Sequence, residues 1–214
     1  MRRLWWAIRD GYLRLLEPLI GWCVRHRVPP NAITTVGTCA AGLAGALFAA
    51  GWIRSAGWTL GLLAFFDVLD GAVARRTGRA TDFGAFYDAT LDRVADAALL
   101  GGVLLFYAWH EVPRAAPMTA VALVALVATS VTSYTRSRGE LIGVGMRGIG
   151  WMERPERITL LAAPQAFFGR AFDGWILDGV VGLLALTSVA TVVQRVRHVA
   201  RAVGDRDTAV PDGG

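Results

Sequence analysis

Residues 58–109, WTLGLLAFFDVLDGAVARRTGRATDFGAFYDATLDRVADAALLGGVLLFYAW, decide the fold. The stretch is apolar at both ends and charged in the middle. Trp58 to Ala74 begins as a membrane-compatible run and then carries Asp67 and Asp70. Ala85 to Trp109 carries Asp88, Asp92, Arg93 and Asp96 early and is apolar afterwards. Spacings of three and four put each aspartate pair on one helix face. A short loop over 77–83 joins the two runs, which predicts antiparallel neighbouring helices. Four carboxylates would then converge at one depth, just inside a membrane surface.

The rest of the chain has the same character. Of 214 residues, 54% are hydrophobic and 18% charged, whereas a soluble domain carries about 25% charged residues. That balance excludes a disordered tail, a collagen and a disulfide scaffold. Cys23 and Cys39 sit in apolar stretches and read as free, packed thiols. Charge-free runs cover 28–53, 115–135 and, more briefly, 179–194. A span needs about 20 mostly apolar residues, so the third must start near Trp175 and tolerate Asp178 at the interface. Residues 155–172 are short for a span and contain Pro164. The expected fold is an all-α integral membrane protein. Its six transmembrane helices cover 32–53, 56–76, 84–109, 116–138, 155–172 and 175–198.

Tryptophan and arginine placement support that count independently. Trp52, Trp58, Trp109, Trp151 and Trp175 lie at or near proposed span ends, as an aromatic belt requires. All 22 basic residues are arginine. Eighteen fall on one side of the proposed topology and only Arg54, Arg114 and Arg170 on the other, with Arg93 inside a span. The positive-inside rule then places both termini, and the aspartates, at the cytoplasmic face of a multi-pass plasma-membrane protein. The net charge of +5 points to an anionic membrane face as partner, and not to nucleic acid.

Residues 1–27 lack the apolar core and cleavage site of a signal peptide. Trp5, Ile8, Tyr12, Leu15, Leu16, Leu19 and Trp22 recur at helical spacing, with Arg3, Asp10, Arg14 and Glu17 opposite. This reads as an amphipathic helix lying in the membrane interface; an ordinary packing helix fits the same pattern. The domain organisation is thus an interfacial helix over 1–27, a transmembrane domain over 28–200 and a flexible polar tail over 201–214.

Four membrane-depth carboxylates are costly, roughly 2.5–3.5 kcal/mol each at the bilayer centre and less near the interface, and they repel one another. A hard divalent cation offsets them best. Oxygen ligands suit Mg²⁺, Mn²⁺ or Ca²⁺, and no local His or Cys favours zinc. Four carboxylates can hold two ions, the arrangement that clamps attacking and leaving oxygens in phosphoryl transfer. A proton relay or helix–helix glue is the plainer alternative. Gly71 lets a ligand approach the backbone, Ala74 keeps the next turn small, and Arg75 offers a bidentate fork for phosphate. Gly84 opens the next helix one turn before Asp88. Each has an ordinary packing or headgroup role as well.

In these residues the chain resembles the CDP-alcohol phosphotransferases, whose signature is D-x2-D-G-x2-A-R-x8-G-x3-D-x3-D. All eight fixed positions match, from Asp67 through Asp92. At average residue usage a chance match is on the order of 10⁻¹⁰ per start point. The resemblance implies transfer of a phospho-alcohol from a CDP-linked donor to a hydroxyl, with release of CMP. It implies metal ligation by Asp67, Asp70, Asp88 and Asp92, with two Mg²⁺ ions (or Mn²⁺ in their place) and Asp92 as general base. Gly71, Ala74, Arg75 and Gly84 would lie at the CDP donor, with Thr81 and the Pro29-Pro30-Asn31-Ala32 stretch as further nucleotide contacts. Asn31 also reads as the N-cap of the first span.

The segments DATLDR, SYTRSRGE and ERPER resemble the phosphatidylinositol-phosphate synthases and archaetidylinositol-phosphate synthases. That implies CDP-diacylglycerol as donor and inositol 1-phosphate, or another phosphorylated polyol, as acceptor. Ser133, Arg136, Arg138, Arg157 and Arg195 would bind the acceptor phosphate, although positive-inside topology alone accounts for the arginines. Glycerol 3-phosphate is the alternative acceptor. Phosphatidylglycerophosphate synthases typically read D-P-x-A-D-K at the third and fourth Asp, and this chain has Asp88-Ala-Thr-Leu-Asp92-Arg93. A membrane prenyltransferase and a cation channel or transporter with an aspartate cluster are the remaining readings. A homodimer is implied by resemblance, with Gly-rich faces in spans one and three permitting close packing. Asp96, one turn beyond Asp92, reads as a partner for Arg93 or a helix contact.

Overall fold

Two residues break the aspartate-rich stretch into two helices. Gly78 is left-handed (φ 64°) and its N–H bonds to the Ala74 carbonyl, ending the first helix. Thr81 is extended, and its hydroxyl oxygen accepts from the Gly84 N–H at 3.0 Å, starting the second. The computed structural model describes residues 17–78 and 81–209, without the side chains of 63–68, 70 and 205–209. All regular structure among the described residues is helical. Residues 17–25 form α1. It is followed by α2 (Pro30–Ala49), α3 (Ile53–Thr77), α4 (Asp82–Trp109), α5 (Ala115–Leu141), α6 (Arg154–Phe168), a 3₁₀ turn (Phe172–Gly174) and α7 (Trp175–Ala209).

Helices α2 to α7 fall where the six spans are expected. Pro30–Ala49, Ala115–Leu141 and Phe172–Gly204 are long and apolar enough to cross a membrane. α3 and α4 have the length, at 25 and 28 residues, but carry the charged cluster. α6 has 15 residues, a rise of about 22 Å against a hydrocarbon core of about 30 Å.

Three boundaries differ from the sequence reading. Pro29 is the N-cap of α2, with Pro30 at its first position, so Asn31 is inside the helix and not its cap. α2 stops at Ala49, because Gly51 turns the chain at φ 79° before α3 begins. α7 continues through residues 201–209, where a flexible tail is expected; its Ala and Arg residues support helix, and no proline intervenes before Pro211. Residues 210–214 lie outside the described residues, as do 1–16 and with them most of the predicted interfacial helix. The described part, α1, buries Ile20 and Cys23 against Ile33, Leu69, Ala72 and Val73. That stripe lies one residue from the predicted Leu19–Trp22 face, and Trp22 is half exposed. A two-bond Arg76–Glu17 ion pair (2.6 and 2.7 Å) holds α1 to α3. The bond from Arg76 pulls the Glu17 carboxyl below its ordinary value, so the pair is intact at neutral pH and weakens only as pH falls through that lowered value.

The long helices close into a ring in the order α3, α2, α4, α5, α7, α6 and back to α3. The expected pairing of α3 with α4 is therefore corrected. The two are joined by a short connection yet do not pack along their lengths, and α2 touches both. The reason is the small-residue surface of α2. A Cβ on Gly45 would lie 2.2 Å from the Ala98 carbonyl oxygen, and one on Gly102 would lie 2.0 Å from the Gly45 oxygen. Backbone meets backbone there, so α2 takes the place beside α4. These two glycines are thus used within the chain.

At the end of the ring opposite the aspartates, Asp178 is buried but fully paired. It accepts from the Tyr107 hydroxyl and the Arg114 Nε, both at 2.6 Å. Trp52, Trp58, Trp109 and Trp175 stand exposed at this end, where the belt places them. Gly102→Ala should overpack the α2–α4 contact and cost about 1–3 kcal/mol, read as a lower thermal midpoint in detergent. Gly61→Ala, inside α3 with nothing within 4 Å of the added carbon, should leave the midpoint unchanged or raise it.

Candidate active site

Inside the ring, α4, α5, α6, α7 and the loop between α5 and α6 enclose a cavity of about 850 Å³, within the size range of ligand pockets. α4 contributes Asp92 and Arg93, α5 Ser133 and Arg136, α6 Arg154 and Arg157, and α7 Thr191 and Arg195. Five arginines line the cavity against the three acids Asp92, Glu140 and Glu153, which suits an anionic ligand.

The fold thus brings Asp92 together with Ser133, Arg136, Arg157 and Arg195, residues separated by up to about a hundred positions. Arg138 is not brought in. It follows Arg136 by two residues, about 200° around the helix, and is exposed away from the cavity. Asp88 is exposed one turn before Asp92. The side chains of Asp67 and Asp70 lie outside the description; their backbone belongs to α3. Among the described residues no group of three or more His, Cys, Asp or Glu side chains has metal-binding proximity.

None of the expected donor contacts lines the cavity. Gly84 opens α4 with its missing Cβ 3.2 Å from Thr81 Oγ1 and 3.6 Å from Asn31 Oδ1, so the starts of α2 and α4 meet. Pro29, Pro30 and Ala32 lie in that same turn. On α3, the Arg75 guanidinium folds back to 3.1 Å from the Cβ position of Gly71, and Ala74 is half-buried.

Sequence reasoning missed Arg154. Its Nη1 reaches Asp92 Oδ1 at 2.8 Å and its Nε reaches Asp96 Oδ1 at 3.3 Å, spanning one turn of α4. Arg93 Nη2 lies 3.6 Å from Asp96, the contact expected for that acid, and 3.9 Å from Asp92. The available signal is the three-residue spacing of Arg154 and Arg157, which puts both on one face of α6. That helix opens with a capping box between Glu153 and Glu156, which fixes where its arginines begin.

The loop over 142–153 forms one wall and is tied down at several points. Met146 is 1% exposed and packs so closely on Gly139 that a Cβ there would lie 2.7 Å from its sulfur. Thr191 accepts from the Trp151 N–H at 3.2 Å. Arg195 donates from Nε to the Ile149 carbonyl at 3.0 Å and from Nη1 to the Thr132 carbonyl. One side chain therefore joins α7, the loop and α5.

The chain matches the family model for CDP-alcohol phosphatidyltransferase over residues 27–194. It belongs to that family. This membrane-embedded phosphotransferase of phospholipid biosynthesis is 34% identical to the phosphatidylinositol phosphate synthase of Mycobacteroides abscessus over 202 residues, which cover 93% of this chain and 90% of the relative. It is 38% identical to the corresponding protein of Corynebacterium glutamicum over 85% of this chain and 82% of the relative. The crystal structure of Mycobacterium tuberculosis phosphatidylinositol phosphate synthase with CDP-DAG bound superposes with a TM-score of 0.78. The two are 35% identical over 87% of this chain and 94% of that one. A second crystal structure of that enzyme, in complex with manganese and citrate, gives a TM-score of 0.77. Membership of an enzyme family removes the channel and transporter reading.

Arg195→Met keeps the stem of the side chain but removes both carbonyl bonds. The loop over 142–153 should then be cut faster in limited proteolysis, while the remaining loops keep wild-type protection.

Proposed function

We propose that the protein transfers the phosphatidyl group of CDP-diacylglycerol to a hydroxyl of inositol 1-phosphate, releasing CMP. The observation that carries this reading is the cavity where Asp92 faces Ser133, Arg136, Arg157 and Arg195. The CDP-DAG complex of the Mycobacterium tuberculosis enzyme and the names of the curated relatives support the same donor and acceptor. Glycerol 3-phosphate carries the same phosphate on a smaller polyol and is the alternative.

Asp67, Asp70, Asp88 and Asp92 are the residues that would hold divalent metal. The donor set fits: four carboxylates at three- and four-residue spacing on two helices, all hard oxygen ligands suited to Mg²⁺ or Mn²⁺. When bound, two such ions neutralise the diphosphate and stabilise the departing CMP. The chain's own residues do the rest. Arg75 and Gly71, with the turn formed by Asn31, Thr81 and Gly84, receive the nucleotide diphosphate. Arg157, Arg195, Arg136 and Ser133 hold the acceptor phosphate by charge-assisted bonds. Asp92 then accepts the proton of the acceptor hydroxyl as its oxygen bonds to phosphorus and the phosphoanhydride bond to CMP breaks. Arg154, 2.8 Å away, holds the Asp92 carboxylate in a fixed orientation. Alignment and electrostatics therefore carry most of the rate.

The same reading takes α2 to α7 as six spans, the aspartate end as the cytoplasmic face of the plasma membrane, and residues 1–27 as an interfacial helix. Eighteen arginines against three support that orientation. It also takes the functional unit as a homodimer; Gly42 and Gly101 are left with nothing within 4 Å and are open to a second chain.

CMP release by purified enzyme in detergent, with CDP-diacylglycerol and Mg²⁺, tests the reaction. Inositol 1-phosphate should support release and glycerol 3-phosphate should not; the reverse would move the acceptor and keep the reaction class. Asp92→Asn should lower turnover by roughly 10²–10⁴-fold, and a chelator should abolish it until Mg²⁺ or Mn²⁺ is restored.

A further inference from the structure

We infer that Asp96 is a positioning residue for the acceptor phosphate, acting through Arg157 and Arg154. The inference rests on the acceptor reading above and concerns a residue outside the family's signature. Asp96 is one turn beyond Asp92 on α4, with a side chain only 12% exposed. Three guanidinium groups surround it: Arg154 Nε at 3.3 Å, Arg93 Nη2 at 3.6 Å and Arg157 Nη2 at 3.9 Å.

The three contacts are not equivalent. Arg154 is locked between Asp92 and Asp96 and acts as a strut from α6 to α4. Arg157 is different: it lines the cavity, its side chain is 14% exposed, and its guanidinium donates no hydrogen bond to a described residue. The Asp96 oxygen facing it, Oδ2, is buried and likewise makes no hydrogen bond. Asp96 therefore holds Arg157 by charge without consuming its N–H donors, which remain available to a phosphate. A buried carboxylate serving three arginines also lowers the mutual repulsion of a cluster that would otherwise splay apart when empty. The acid thus orients the cationic wall towards Asp92 and does not itself touch substrate.

Acceptor and donor kinetics separate this role from a merely structural one. Asp96→Asn keeps shape and an oxygen for Arg154 but removes the charge facing Arg157. KM for inositol 1-phosphate should rise roughly tenfold or more, with KM for CDP-diacylglycerol near wild type. Asp96→Glu restores the charge and should recover most of the acceptor KM. An equal loss towards both substrates, a failure of Glu to outperform Asn, or a fall in acceptor KM would each overturn the inference. The last outcome would mean that Asp96 competes with the phosphate for Arg157. Assays in native membrane vesicles give the same comparison should Asp96→Asn not survive detergent. The acceptor reading is checked separately with wild-type enzyme. If free inositol serves as well as inositol 1-phosphate, that reading fails; if wild type needs the phosphate and Asp96→Asn leaves acceptor KM unchanged, only the role of Asp96 fails.

Discussion

Charge buried at membrane depth must be paired, and the aspartate–arginine seam between α4 and α6 is where this protein meets that requirement. Asp92 and Asp96 face Arg154, Arg157 and Arg93 across the cavity wall. Removing one member would leave an uncompensated charge in a low-dielectric interior, far costlier than the small net gain of forming the pair. The seam therefore constrains the register of α6 against α4. The capping box that starts α6 and the Arg195 bonds to the loop serve the same register. At the far end a second pair, Arg114 with Asp178, ties the start of α5 to α7.

The ring separates two chemical tasks without separating them far. α2 packs against both α3 and α4, and its start meets the start of α4 in a turn of glycine, proline and threonine; in the proposed reaction this side receives the nucleotide. α4 to α7 present arginine, serine and threonine around the cavity. Asp92 belongs to both, since α4 is shared. The small residues of α2 make the geometry possible. Because Gly45 and Gly102 allow backbone contact, α2 sits beside α4 and also packs against α3.

Much of this is legible in the sequence, for identifiable reasons. Helix and span positions follow from composition and periodicity, which are local. The Asp67–Asp92 motif carries its chemistry in residue type and spacing, so family and reaction class are readable before any coordinates. The Arg93–Asp96 contact follows from a three-residue spacing on one helix. Cap positions are less legible: Pro29 displaces Asn31 as N-cap of α2 because a proline pair presets the first turn. The helical stretch 201–209 was hidden by its polar composition, which fits a solvated helix as well as a tail.

The sequence by itself determined helices, charge asymmetry and family, because composition, periodicity and a fixed-spacing motif are all read along the chain. Tertiary structure alone decided which arginines matter. Arg136 and Arg138 look alike in sequence, but a helix turns about 100° per residue and only one reaches the cavity. Arg154 looked like one more positive-inside charge until the packing of α6 set it against Asp92 and Asp96, 58 or more positions away. Adjacency in the chain likewise misled for α3 and α4. Which helices touch is decided by where small residues let backbones meet, and that is a property of faces brought together by the whole ring.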